Sequence, residues 1–264
     1  LLTEDKLGYF ALLRNCRNLL QTDDDHVIAM AILRLVDEKA IKSSLVMPFR
    51  FTTAYRELDK CHSPTSSNPP KGKMLAAISQ ACDIALSNVP KFDGSTLVVL
   101  DCSASMGSFE NPECPAAKGL VMASALAKAN GSDVMMFANN AYYMPIDTNL
   151  PVMNICEKLA EHNDGGGTNF ASIFQAARQA YDRIIVLTDC QGWGTDNVPG
   201  EYKNYKLRHS TPNTALWMFD LTGYGTLMFP ESQVRVVSGF SDKVFDMIKY
   251  IDQDGVTKMT DAID

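Results

Sequence analysis

The chain has 264 residues, of which 46% are hydrophobic and 21% charged, and a formal net charge of −7. Its length suffices for one large core or two modest ones, and its composition is that of an ordinary globular protein. No apolar run reaches the ~18 residues of a membrane-spanning helix, and Leu1-Leu2-Thr3-Glu4-Asp5 lacks the basic and apolar regions of a signal peptide.

Apolar side chains at Leu7, Phe10, Leu13 and Leu20, broadened by Leu12, Cys16 and Leu19, predict a helix over 5–20. Asp23-Asp24-Asp25 offers caps for a second helix over 25–41. Pro48 opens a third segment, Phe49 to Leu58. Residues 1–60 therefore read as a helix-only unit, like one or two layers of a helical repeat. Residues 61–72, rich in Ser, Pro and polar side chains, read as a linker.

From residue 73 to 264 the texture changes. After a helix over 73–87, short apolar runs alternate with helical patterns. The runs are Thr96–Leu100, Val134–Phe137, Ile184–Leu187, Ala215–Phe219 and Val234–Val237; the helices fall near 115–129, 151–161, 170–181 and 241–252. Continuous apolar strands alternating with helices predict an α/β, doubly wound, mainly parallel sheet. Tyr142–Ile146, which contains Pro145, suits an antiparallel edge strand.

The charge is uneven. Residues 1–73 hold 11 Lys/Arg and 9 Asp/Glu, whereas residues 74–264 hold 13 and 22. The acidic part suits cation binding and argues against a grip on phosphate backbones by that part alone. Seven cysteines, at 16, 61, 82, 102, 114, 156 and 190, are odd in number and form no Cys-x-x-Cys pair. They predict reduced thiols in a cytoplasmic setting, not a disulfide framework or a zinc site.

The chemistry gathers at strand ends. Leu97-Val98-Val99-Leu100 runs into Asp101-Cys102-Ser103-Ala104-Ser105. An acid followed by hydroxyls at alternate positions puts three oxygens on one turn, at the sheet edge where α/β proteins bind ligands. Oxygen ligands suit hard cations such as Mg²⁺. Further on, Gly165-Gly166-Gly167-Thr168 delivers another hydroxyl on a glycine loop, and the strand Ile184–Leu187 leads to Asp189.

Asp-x-Ser-x-Ser, a later Thr on a glycine loop and an Asp after a central strand resemble the metal-ion-dependent adhesion site of von Willebrand factor A domains. The resemblance implies that Ser103 and Ser105 bind a divalent cation directly, with Mg²⁺ first and Mn²⁺ or Ca²⁺ as alternatives. It implies that Thr168 binds directly or through water, and that Asp101 and Asp189 orient waters and balance charge. One coordination position is left for the carboxylate of an acidic protein partner.

A wider resemblance covers almost the whole chain. Leu12–Leu19 (LLRNCRNL), Leu45–Tyr55 (LVMPFRFTTAY), Ser87-Asn88-Val89-Pro90 and Gly239-Phe240-Ser241 resemble segments of the TROVE-domain, or Ro autoantigen, family. In that family, HEAT-like helical repeats close into a ring that meets an A domain. The ring binds small structured Y RNAs and the ends of misfolded RNAs, and bacterial members work with exoribonucleases. By this resemblance the chain looks like the last part of such a ring plus the A domain, which implies RNA binding for a full-length parent. Arg14, Arg17, Arg50 and Arg56 are the candidate phosphate contacts. Trp193, shortly after Asp189, is a candidate for a partner interface on the metal side.

No Walker A sequence, G-x-G-x-x-G fingerprint or G-x-S-x-G elbow occurs. No nucleophile and base pair is visible, so the expected function is non-enzymatic. The expectation is a Ro-like ribonucleoprotein component with a cation-dependent interaction domain and no membrane association. The competing reading is a structural or assembly protein that uses the A domain for metal-dependent protein contacts without RNA.

Overall fold

The computed structural model describes residues 6–61, 69–162, 165–192, 197–223, 229 and 234–239. Two compact units divide the chain: the first runs to Val89 and takes in Leu150–Asn154, and the second begins at Pro90. The sequence reading put the boundary at residue 73. Part of the expected linker, 62–68, and the expected helix over 241–252 lie outside the described residues.

The first unit is helical: α1 (Tyr9–Arg14), α2 (Cys16–Leu20), α3 (Asp25–Leu35), α4 (Glu38–Ser44), α5 (Pro48–Asp59) and α6 (Pro69–Ile84). The helix expected over 5–20 breaks at Asn15, whose side-chain amide donates to the Ala11 carbonyl at 2.7 Å. The one expected over 25–41 breaks before Asp37, whose carboxylate accepts from the Ala40 N–H and so caps α4. α6 starts within the stretch expected to be linker. It packs on α3, α4 and α5, and its Met74, Ile78, Ala81 and Cys82 are buried. Tyr9 donates to the Leu35 carbonyl at 2.6 Å, tying α1 to α3.

The second unit is the expected α/β sheet. Its strands are β1 (Thr96–Asp101), β2 (Asp133–Phe137), β3 (Ala141–Met144), β4 (Arg183–Thr188), β5 (Ala215–Asp220) and β6 (Arg235–Ser238). The order is β3-β2-β1-β4-β5-β6, with every pairing parallel except β2 with β3. β1 and β4 are central and buried along their whole length, which is why each reads as an unbroken apolar run. β3 is the antiparallel edge strand, and it ends just before Pro145.

Helices cover both faces. On one, α7 (Pro115–Asn130) approaches β1 so closely that a Cβ on Gly119 would lie 2.8 Å from a Leu100 methyl. On the other, α9 (Ala171–Ala176) and α10 (Val198–Arg208) pack over Leu97, Val99, Ile184 and Val186 through Phe174, Tyr202 and Tyr205. α8 (Val152–Ala160) lies between β3 and α9 in sequence. α9 stops short of the expected residue 181 because Ala177 turns extended, at ψ 121. α10 was not anticipated. Among the described residues no helix is long and apolar enough to cross a membrane.

All seven cysteines are free thiols; five are buried, and Cys61 and Cys114 are half-buried. Burial pushes the Cys16 thiol up to about 12, well away from the reactive thiolate range. A native-state thiol titration at pH 8 is expected to give two fast-reacting groups, with the rest released on denaturation. A fast-reacting Cys16→Ser-sensitive thiol would contradict the packing of α1 and α2.

Candidate metal centre

Three neighbouring strands end in acids or lead into them: Asp101 closes β1, Asp189 follows β4 and Asp220 closes β5. All three are buried. Parallel pairing puts their carboxyl ends at one edge of the sheet, so the loops that leave those ends meet there.

Each oxygen of Asp101 has a partner within the protein. Its Oδ1 accepts from the Ser103 N–H at 2.9 Å, and its Oδ2 accepts from the Thr188 hydroxyl at 2.6 Å. The first bond bends the chain into the turn that presents Ser103 and Ser105, whose hydroxyl oxygens lie 3.3 Å apart. Ser103 is buried, while Ser105 is exposed. Burial pushes the Asp101 carboxyl up to about 6. The Asp189 charge adds to that rise, and the bonds from Ser103 and Thr188 oppose it.

The glycine loop docks on this turn. The Ala104 N–H donates to the Gly166 carbonyl at 3.0 Å, two residues before the buried Thr168. Gly166 has φ +95, and a Cβ there would meet the Asn139 side-chain nitrogen at 2.6 Å. A side chain at this position would be strained twice over. Asn139 anchors the loop: its Oδ1 accepts from the Gly167 N–H at 2.9 Å, and its carbonyl accepts from the Asn169 amide at 3.2 Å.

On the β4 side, Asp189 Oδ1 accepts from the Gln191 N–H at 3.0 Å. Its Oδ2 is buried and has no hydrogen-bond partner among the described residues. The next residue, Cys190, holds the left-handed conformation at φ 57 although it is not glycine, a departure that clusters at functional sites.

The structure thus brings the loops of Asp101, Ser103, Ser105, Thr168 and Asp189 to one edge of the sheet. Three further residues escaped the sequence reading. Thr188 bridges the central strands by donating to Asp101 and accepting from the Cys190 N–H at 3.1 Å. Asn139 holds the glycine loop. Asp220 accepts from the Thr222 N–H, the Thr222 hydroxyl and the Gly223 N–H at 2.7–3.0 Å. The signal for Asp220 was available: Leu216-Trp217-Met218-Phe219-Asp220 is a third apolar strand ending in an acid.

The donors are oxygens, two carboxylates and three hydroxyls, which fit a hard divalent cation. Among the described residues no group of three or more His, Cys, Asp or Glu converges, so a soft or zinc-type ligand set is not offered there. Trp193 lies outside the described residues. Arg14, Arg17 and Arg50 belong to the helical unit, where all three are exposed, and Arg56 is half-buried on α5.

Thr188→Val keeps the shape of the side chain and removes both of its bonds. A buried Asp101 oxygen and the Cys190 N–H are then stranded, which is expected to cost about 1–3 kcal/mol of stability. Urea unfolding measures it, and an unchanged midpoint would show that the Thr188 bridge carries no weight.

No family model matches the sequence, and no curated protein matches it. Solved structures do. The Ro (RSR) protein of Deinococcus radiodurans superposes with a TM-score of 0.69 at 20% identity, over 90% of this chain and 52% of that one. An aerotolerance-related membrane protein of Bacteroides fragilis gives a TM-score of 0.38 at 14% identity, over 62% of this chain and 98% of that one. The chain therefore spans about half the length of the Ro protein and shares its fold over that span, with a von Willebrand A-type α/β unit following a helical one.

Proposed function

We propose that this chain is a Ro-like ribonucleoprotein component whose A-type unit is a non-enzymatic, cation-dependent interaction domain of the cytoplasm. The observation that carries the cation-dependent part of the reading is Asp189 Oδ2, a buried carboxylate oxygen without a partner among the described residues; the Ro-like part rests on the shared fold. That oxygen stands with Asp101, the paired hydroxyls of Ser103 and Ser105, and the loop of Thr168. A buried, uncompensated carboxylate oxygen is costly, and a cation or its bound water removes the cost.

Ser103, Ser105 and Thr168 would hold the cation, Mg²⁺ first and Mn²⁺ or Ca²⁺ as alternatives. Asp101 and Asp189 would orient its waters and offset its charge. When bound, the cation supplies one open position for the carboxylate of an acidic partner. Asp101 meanwhile fixes the turn through Ser103 and joins it to β4 through Thr188. The glycine loop, clamped by Asn139, sets the height of Thr168. The helical unit is the RNA-facing part, with small structured RNA as its partner and an exoribonuclease as a co-worker of the assembled particle.

Titration of the chain against a labelled structured RNA, over a salt series with and without millimolar Mg²⁺, tests the reading. Salt-sensitive binding supports the ribonucleoprotein assignment. No RNA binding, with Mg²⁺ still raising thermal stability, would leave a metal-dependent protein-interaction domain and end the RNA assignment for this chain.

A further inference from the structure

The loops at the metal edge of the sheet share a charge pattern. Among the described residues they are 102–114 after β1, 138–140 between β2 and β3, 165–170 before α9, 189–192 after β4 and 221–223 after β5. None of these stretches contains a lysine or an arginine, whereas they carry Glu110, Glu113 and Asp189.

That pattern bears on how an acidic partner is held. A carboxylate that completes the coordination of a cation does so with one oxygen. Its second oxygen, stripped of water, still needs a hydrogen-bond donor. Arginine or lysine is the usual answer. No basic side chain of the described loops can give it here, so the donor is a neutral one.

Asn139 is built for this task. Its Oδ1 accepts from the Gly167 N–H at 2.9 Å, which fixes the amide plane and turns the Nδ2 hydrogens away from that bond. Asn139 is exposed, and among the described residues its Nδ2 has no acceptor. The amide lies against Gly166, whose carbonyl receives the Ala104 N–H between Ser103 and Ser105. A single peptide group therefore separates a free, oriented donor from the serine turn.

The other amides of these loops are less suited. Asn169 gives its Nδ2 to the Asn139 carbonyl and its Oδ1 to the Ser172 N–H. Asn111 is held by the Glu113 N–H, and in the chain it stands between Glu110 and Glu113, whose charges repel an acid. The Gln191 side chain has no hydrogen bond among the described residues, so fixing it on a ligand costs rotamer entropy that Asn139 has already lost.

We propose that Asn139 is the residue that selects the acidic partner, its Nδ2 donating to the carboxylate oxygen that the cation does not take. The proposal rests on the cation-dependent reading of the same site. It adds to that reading a side chain that touches the partner and not the metal.

The test uses the whole chain, Mn²⁺, and acetyl-glutamate amide as a probe with one carboxylate; acetyl-glutamine amide is the uncharged control. Electron paramagnetic resonance of free Mn²⁺ gives the cation affinity, and Mn²⁺-induced broadening of the probe's proton resonances gives the probe affinity. Asn139→Asp keeps the acceptor for Gly167 and replaces the donor with a charged acceptor. It is expected to bind Mn²⁺ at least as tightly as wild type, yet to weaken the glutamate probe by about tenfold or more. Asn140→Asp puts the same charge one residue along the exposed turn and is expected to weaken the probe by less than about threefold. A residue that only clamped the glycine loop would move both affinities together or neither.

Equal probe affinity in wild type and Asn139→Asp overturns the proposal and leaves the cation reading in place. So does an equal loss in Asn140→Asp, or a glutamine probe that binds as well as the acid. Wild type that binds Mn²⁺ but not the acid likewise removes the role of Asn139 alone. Wild type that does not bind Mn²⁺ ends the cation reading and the proposal together.

Discussion

Asp101→Asn is expected to abolish the response of the chain to divalent cations. At pH 7.5, millimolar Mg²⁺ should raise the melting temperature of wild type and leave the variant unmoved; a cation present at a hundred times its Kd stabilises by about 2.7 kcal/mol. The effect is large because Asp101 sits at the meeting point of two loops, joined to Ser103 on its own turn and to Thr188 on β4. Asparagine preserves the acceptor for Ser103 and deletes the charge. A variant that kept the full Mg²⁺ response would remove Asp101 from the metal centre.

The metal-free protein sharpens the test. Burial raises the Asp101 carboxyl from 3.8 to about 6. The folded value lies above the unfolded one, so the stability it contributes is complete below pH 3.8 and is lost as pH rises through about 6. Ionisation at neutral pH then costs the chelated protein up to about 3 kcal/mol. In EDTA, wild type should lose stability between pH 4.5 and 7 while Asp101→Asn changes much less. Mg²⁺ should restore wild type at the upper end only. Parallel pH profiles for the two proteins in EDTA would contradict the burial of this charge.

Gly166→Val is the second large effect. Gly166 holds φ +95, where a β-branched residue is strained, and its Cβ would strike Asn139, which anchors the same loop. Backbone strain of this kind costs about 1–3 kcal/mol. The Gly166 carbonyl also receives the Ala104 N–H, so its displacement releases the serine turn from the threonine loop. Cation affinity, read by Mn²⁺ titration, should fall along with stability. Gly165→Asn is the control: it too has positive φ, at +61, but its Cβ direction is open, and asparagine tolerates that conformation. Equal losses in both variants would mean that the Asn139 clamp is irrelevant.

The strands were legible because burial on both faces turns β1 and β4 into continuous apolar runs. Pro145 marked β3 as an edge. The five candidate ligands were legible because their types and order belong to loops that leave such strands. What stayed hidden depends on partners far along the chain. The α6 pattern of Met74, Ile78 and Cys82 announces a helix but not which core receives it. Three buried residues, Val198, Tyr202 and Tyr205, sustain α10, and Pro199, Gly200 and Lys203 mask their spacing. Asn15 breaks a periodic stretch through one side-chain bond. Thr188 looks like any strand-end threonine until β4 is set beside β1.

The pairing of β1 with β4 has a kinetic side. The hydrogen bond from Thr188 to Asp101 joins positions 87 residues apart, and the parallel register from Thr96↔Arg183 to Leu100↔Leu187 spans the same separation. Such a loop closes slowly, since its entropy is spent before any contact is gained. The two carboxylates and the serine turn cannot meet until this closure is complete. A cation that recognises them therefore has nothing to bind in the early, collapsing chain. Bound there, it would lengthen the lifetime of the finished fold by slowing escape from it, and would leave the rate of arrival unchanged.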